Sequence, residues 1–289
     1  MSEGRPCIFG EVLFDHFPDG QRVLGGAPFN VAWHLQAFGQ APRFISRVGD
    51  DDEGTTIRAA MRDWGMDTDG LQTDDRLPTG RVSVTLDNGE PSYDIVRPCA
   101  YDAIAAADCR GATLLYHGSL AVRADASRRT LRELVAEGPR SIFLDVNLRR
   151  PWWTSDDILS LLDQANWVKL NADELALLAA GSAAPRAFIE RHGLDGLILT
   201  RGAEGADVIM ADGGHWHAAP AAATHVVDTV GAGDAFASVM IVGLLRAWPP
   251  DATLQRAQAF ASRIVGQRGA TVSDPAFYQH FIDDWALNT

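Results

Sequence analysis

Residues 228–236, "DTVGAGDAF", set a carboxylate, Asp234, directly behind a Gly-Ala-Gly turn and ahead of "AFASVMIVGLLRAW". That run is apolar nearly all round, as in a helix buried in a core, so its amino terminus is expected inside as well. A buried helix start leaves unpaired N–H groups and a partial positive charge, and glycine lets an anion approach the backbone closely. Gly231, Ala232 and Gly233 therefore form a candidate anion hole. A carboxylate at the same place suits a base that takes the proton of an alcohol attacking a phosphoryl group. The plainer alternative, that Asp228 or Asp234 only caps a helix, fits the same residues.

Two familiar phosphate loops are excluded. A P-loop needs GxxxxGK[ST], and the single lysine of the chain, Lys169, does not follow a glycine. The dinucleotide fingerprint GxGxxG fails at Phe236, where its third glycine would stand. A net charge of −13 without a basic run makes nucleic acid a poor partner. Cys7, Cys99 and Cys109 are too few and too scattered for a disulfide framework or a CxxC zinc site, which points to a reducing, cytoplasmic setting. No segment has the pattern of an export signal, and none approaches the roughly 18 apolar residues of a membrane span.

The elements that must position the turn follow from hydrophobic patterning. With 289 residues and 46% hydrophobic content the chain can fill one large α/β domain, expected over 1–289. Short apolar runs, "CIFGEVLF", "RFISRVG", "ATLLYHG", "SIFLDVN", "WVKLN" and "GLILTRG", alternate with amphipathic segments such as Ala124 to Glu137 and Ser155 to Gln164. That rhythm predicts a mostly parallel sheet covered by helices on both faces. Residues 80–97 break it: two alternating strands joined by "DNGE", a hairpin that must sit outside the main sheet. With 16–24 this hairpin is expected to form a small β lid, and "AAPAAA" near 218–223 a short loop.

A second motif stands at 25–49, "GGAPFNVAWHLQAFGQAPRFISRVG". Gly25 and Gly26 allow close backbone approach, Pro28 suits a helix start, and Asn30 lies in the first turn with its amide free to face a ligand. Together with the Gly-Ala-Gly-Asp turn, this pattern resembles the PfkB, or ribokinase-like, family of sugar and nucleoside kinases, and its fructokinase-like members in particular. The first signature fits throughout, including Gly39 and Gly49; the second departs only at Val239, where a small residue is usual. The resemblance implies a ribokinase-like three-layer α/β/α sandwich with a small β-sheet lid, and ATP-dependent phosphorylation of a sugar's primary hydroxyl. Asp234 would be the base and fructose the favoured acceptor, giving fructose 6-phosphate. A 2-keto-3-deoxygluconate kinase, ribokinase or nucleoside kinase of the same family is the nearest alternative. A non-catalytic sugar-binding regulator is the alternative of another class.

The resemblance also assigns residues. "VKLNADEL" looks like the family's Asn-x-x-Glu element, with Asn171 near the nucleotide and Glu174 holding Mg²⁺ through water; an N-capped helix gives the same spacing. "LTRGAEGA" resembles the nucleotide-side loop, with Thr200, Gly202 and Gly205 near ATP; read bare, it is a turn between strands. On the sugar side, Asp15, Gly26, Asn30, Arg97 and Arg149 are implied, with Asp15 accepting sugar hydroxyls and Arg97 reaching over from the lid. "DVNLR", 145–149, resembles "DPNLR" with Val146 replacing the usual proline. Asp228 with Gly269, Ala270 and Ser273 of "QRGATVS" is the implied K⁺ site. His34, His117 and Cys109 are left as structural, and an edge of the lid could pair two chains into a homodimer.

Overall fold

The computed structural model describes residues 4–87, 90–179, 184–220 and 226–288. Its first half runs β1 (Cys7–Phe9), β2 (Leu13–His16), β3 (Arg22–Gly25), α1 (Ala27–Ala37), β4 (Arg43–Gly49), α2 (Asp52–Asp63), β5 (Leu71–Asp74), β6 (Gly80–Asp87), β7 (Glu90–Ile95), β8 (Leu115–His117) and α3 (Asp125–Ala136). The second half continues with β9 (Ile142–Asp145), α4 (Ser155–Leu162), β10 (Trp167–Asn171), α5 (Ala172–Leu178), α6 (Pro185–His192), β11 (Gly196–Thr200), β12 (Ala206–Met210) and β13 (His215–Ala218). Helices α7 (Ala232–Leu245), α8 (Pro250–Ile264) and α9 (Pro275–Asp284) complete the chain.

The main sheet has the order β13-β12-β11-β10-β9-β8-β1-β4-β5. Every pairing from β5 to β11 is parallel, and β12 and β13 add antiparallel strands at one edge. Successive strand side chains point to opposite faces, so each strand feeds two cores. Ile8, Tyr116, Phe143 and Ile198 face the layer of α1, α2, α7, α8 and α9, packing with Phe29, Val239 and Phe260. Phe9, Leu115, Leu144 and Leu199 face α3 to α6, packing with Leu131, Ile158, Leu175 and Phe188. The three-layer α/β/α sandwich is as the resemblance implied. Strand order reverses at β1, which has β4 on one side and β8 on the other; open α/β sheets bind ligands beyond the carboxyl ends of strands at such a point.

The lid is a second sheet of order β3-β2-β6-β7, spanning 13–25 and 80–95, slightly wider than the expected 16–24 and narrower than 80–98. Its Asn88-Gly89 turn lies outside the described residues, as do residues 221–223 of "AAPAAA". One expectation is corrected here. The run "CIFGEVLF" is not a single strand: Cys7–Phe9 belong to the main sheet and Leu13–His16 to the lid. The chain bends at Gly10, where an added Cβ would sit 2.3 Å from the Pro28 ring. Apolar residues on both sides of that bend are buried, so patterning alone could not reveal it.

Candidate active site

Helix α7 begins earlier than the apolar pattern suggested. Gly231 is its N-cap in the left-handed region, φ 78°, and the first helical bond runs from Ala235 N–H to the Gly231 carbonyl. Asp234 therefore lies inside the first turn instead of ahead of it. Only glycine takes the Gly231 backbone conformation without strain, and a Cβ there would also meet Ala270 Cβ at 2.3 Å. No side chain caps this helix. Among the described residues, no carbonyl accepts a hydrogen bond from the amide of Gly233 or Asp234. The Ala232 amide is less free, bonded to the Thr229 carbonyl at 3.3 Å, so the open cradle is centred on Gly233.

Asn30 and Asp234, from the two motifs, meet at this cradle: Asn30 Nδ2 donates to Asp234 Oδ2 at 2.7 Å. Asn30 is held by α1, where its own N–H bonds to the Gly26 carbonyl. Gly26 has φ 111°, and a Cβ there would stand 2.8 Å from the Glu11 carbonyl. Burial pushes the Asp234 carboxyl up to about 6; the Asn30 donor opposes this, Asp145 adds to it, and Lys169 and Arg149 pull it back. A carboxylate with that value is ionised at neutral pH yet basic enough to take a proton.

Three carboxyls gather around Arg149, an exposed residue on the loop after β9. Its positive charge lowers the values of three carboxyls at once, Glu11, Asp15 and Asp234. Asp15, half-buried on β2, is raised to about 6 by burial. Arg97, exposed beyond β7, lies with its guanidinium 5.9 Å from the Trp152 ring centroid, which brings the end of the lid to the 149–153 loop. Buried Arg123 stacks on the same ring at 4.7 Å and pairs with Asp102 at 2.7 Å.

The residues that the resemblance assigns to the nucleotide lie on two strands farther along the sheet. Asn171 and Thr200 are register partners at the carboxyl ends of β10 and β11, with Gly202 and Gly205 following in the loop to β12. Gly202 has φ 57° and Gly205 φ 98°. Asn171 and Glu174 form a capping box, at 2.8 and 2.9 Å. Glu174, 7% exposed, also accepts the Leu148 amide at 2.7 Å, tying α5 to the loop that carries Arg149. Both carboxylate oxygens thus hold an amide, and Asn171 remains exposed. These hard oxygen donors fit a divalent ion held largely through water and phosphate oxygens. Among the described residues, no cluster of three or more His, Cys, Asp or Glu could hold a metal alone.

Asp228 ties two loops together, accepting the Val230 amide on Oδ1 and the Gly269 amide on Oδ2, both at 3.0 Å. Its neighbour Ala270 has its carbonyl 3.0 Å from His34 Nε2, and His34 Nδ1 lies 3.0 Å from the Tyr278 hydroxyl. Burial lowers His34 to about 3 and His117 to about 4, so both are neutral packing groups, and Cys109 is a buried free thiol.

Two groups at the site escaped the pattern reading. Glu11, 4% exposed, has Oε2 buried without a partner, and burial pushes its carboxyl up to about 7. Its signal was a carboxylate inside the apolar run "CIFGEVLF". Lys169 entered the sequence argument only for the motif it fails to complete, and it packs beneath the cradle: a Cβ on Gly233 would lie 3.4 Å from its Nζ.

A family model described as pfkB family carbohydrate kinase matches residues 8–276. The chain belongs to this family. It is an ATP-dependent sugar kinase. The fructokinase of Escherichia coli is 31% identical over 257 residues, 82% of this chain and 83% of that protein. Aminoimidazole riboside kinase of Salmonella typhimurium is 33% identical over 263 residues, 83% of this chain and 81% of that protein. Among solved structures, a double mutant of Vibrio cholerae fructokinase, with fructose, ADP and potassium ion bound, has TM-score 0.82 at 25% identity, covering 96% of this chain and 98% of that one. Aminoimidazole riboside kinase from Salmonella enterica, with its riboside and an ATP analogue, has TM-score 0.80 at 27% identity, covering 96% and 100%. Two departures of this kinase from the family pattern are absorbed locally. Val239 is fully buried, and Val146 donates its N–H to the Lys169 carbonyl at 2.9 Å, a bond that proline cannot make. Among the described residues, no helix is long and apolar enough to cross a membrane.

Proposed function

We propose that this kinase moves the γ-phosphoryl group of ATP to a primary hydroxyl of a small sugar, fructose being the favoured acceptor and fructose 6-phosphate the product. One observation carries the reading: Asp234, oriented by Asn30 at 2.7 Å, lies in the helical turn whose Gly233 and Asp234 amides have no carbonyl partner among the described residues. The acceptor oxygen bonds to the γ-phosphorus as the bond to the bridging oxygen of ADP breaks, and the hydroxyl proton passes to Asp234. The amides of the α7 start meet the charge on the phosphoryl oxygens. Asp15, Asn30, Arg149 and Arg97 hold the sugar, and the backbone at Gly26 borders it. Asn171, Thr200, Gly202 and Gly205 line the nucleotide side.

Glu174 and Asn171 would hold Mg²⁺ through waters, and a bound Mg²⁺ neutralises charge on the nucleotide phosphates. Asp228 with the carbonyls of Gly269 and Ser273 would hold K⁺, a role supported by the bond that joins Asp228 to the Gly269 loop.

Fructose is favoured by the fructokinases among the relatives and by the Vibrio cholerae enzyme bound to fructose and ADP. A second reading, an aminoimidazole riboside acceptor, is supported by the 33% identity to the Salmonella kinase. An acceptor panel of fructose, ribose, 2-keto-3-deoxygluconate, aminoimidazole riboside and common nucleosides, read by ADP release, separates them. Fructose should give the highest kcat/KM; a higher value for the riboside would replace fructose with the second reading.

A further inference from the structure

Directly beneath the cradle lies a charge cluster with no part in the steps above. Lys169 is the one lysine of the chain and is 7% exposed. Its Nζ donates to both oxygens of Asp145, at 2.9 and 2.8 Å. Asp145, 1% exposed, also accepts from the Tyr116 hydroxyl at 3.3 Å. An ammonium has three N–H donors. Two are on Asp145, and the third has no acceptor among the described residues. The ammonium abuts the first turn of α7, close enough that a Cβ on Gly233 would lie 3.4 Å away.

This placement is poor for folding alone. A cation against a helix amino terminus opposes the helix dipole. A buried ion pair adds little net stability, because desolvation consumes most of the Coulomb attraction. The arrangement becomes favourable when an anion sits between the ammonium and the open amides, as the transferring group does on the reading given above, on which this inference rests.

We propose that Lys169 is a catalytic residue that donates its third N–H to a non-bridging oxygen of the phosphoryl group in flight, while Asp145 fixes its direction. The acceptor oxygen forms its bond to phosphorus, the bond to the ADP oxygen breaks with its electron pair leaving on ADP, and the proton goes to Asp234. Lys169 exchanges no proton. It supplies a fixed positive charge where negative charge is spread over the equatorial oxygens.

The test compares the parent enzyme with K169M, K169R and the double variant D145N/K169M, which removes both members of the pair. Each is assayed with the best acceptor from the panel for kcat and both KM values. Titration calorimetry then measures binding of ADP, and of ADP with aluminium fluoride, in the presence of that acceptor. Removing one oxyanion donor typically lowers kcat about 10²–10³-fold, and K169M should fall in that range with sugar KM and ADP affinity within about threefold of the parent. K169M should lose the extra affinity that aluminium fluoride gives ADP in the parent, and K169R should recover part of kcat. The double variant should regain the parent's melting temperature but not its kcat, which also decides the matter if K169M alone fails to fold. Recovery of kcat in the double variant, or undiminished tightening by aluminium fluoride in K169M, would reduce Lys169 to a structural partner of Asp145. A parent that transfers phosphate to no sugar in the panel would instead overturn the proposed function.

Discussion

Asn30 Nδ2 stands 2.7 Å from Asp234 Oδ2, a bond between residues 204 positions apart in the chain. The donor favours the charged carboxylate and is the largest influence opposing the upward push of burial on Asp234. Replacing Asn30 by Leu should therefore raise the Asp234 value above about 6 and move the acidic limb of the kcat/KM profile to higher pH. A pH–rate series with saturating ATP measures the shift; an unmoved limb would mean that a different group sets it.

With Asp234 as the proposed base, kcat/KM should rise with pH and level off above about 6. Asp234→Asn should lower kcat by about 10³-fold or more, the scale of a base together with its positioning, while leaving ADP affinity nearly intact. Near-normal turnover in this variant would remove Asp234 from the base role.

The same substitution should stabilise the fold, and the sign follows from linkage. The folded value of Asp234, about 6, is above its ordinary 3.8, so its contribution favours folding at low pH and is lost as pH rises through about 6. At pH 8 Asp234→Asn should raise Tm by about 2–4 °C, corresponding to about 1 kcal/mol for a half-buried group, with little change at pH 4. Scanning calorimetry at the two pH values checks it.

Two glycines of the turn should behave differently. Gly231→Ala must place a Cβ 2.3 Å from that of Ala270 at φ 78°, so it should unfold at markedly lower temperature than the parent. Gly233→Ala meets only Lys169, at 3.4 Å, so it should fold normally yet lose kcat by about 10²-fold, because the methyl occupies the anion's approach. Equal melting temperatures for the two variants would contradict the packing argument.

Glu53 of α2 meets side chains from three lid strands: His16 Nε2 at 2.7 Å, though poorly aligned for a hydrogen bond, Arg22 Nη1 at 3.4 Å and Arg81 Nη2 at 3.6 Å. It is an electrostatic tie between lid and body. Glu53→Gln should raise the sugar KM about 5- to 20-fold with a smaller effect on kcat, because lid placement serves binding more than bond making. Steady-state kinetics at low and high salt would check this, the parent approaching the variant as salt rises.

Much of this was legible in the primary structure because it is local. The Gly-Ala-Gly-Asp turn, the Asn-x-x-Glu capping box and each apolar run of the parallel rhythm lie within short windows, where glycine freedom, capping and periodicity act directly. Residues such as Asp15 and Arg97 were reached only through the resemblance, since nothing in their neighbours distinguishes a ligand contact from an exposed charge. What stayed hidden is long-range pairing. Lys169 on Asp145, Arg123 on Asp102 and the three lid side chains on Glu53 each join segments whose approach depends on the finished sheet order. The bend at Gly10 was hidden for another reason: both halves of the run are apolar and buried in the same two cores.

That bend has a mechanical meaning. Phe9 is bonded into the body and Leu13 into the lid, and only Gly10, Glu11 and Val12 connect them. So short a tether sets Glu11 at the seam between body and lid. Any displacement of one sheet against the other would be taken up within the stretch that carries that carboxyl.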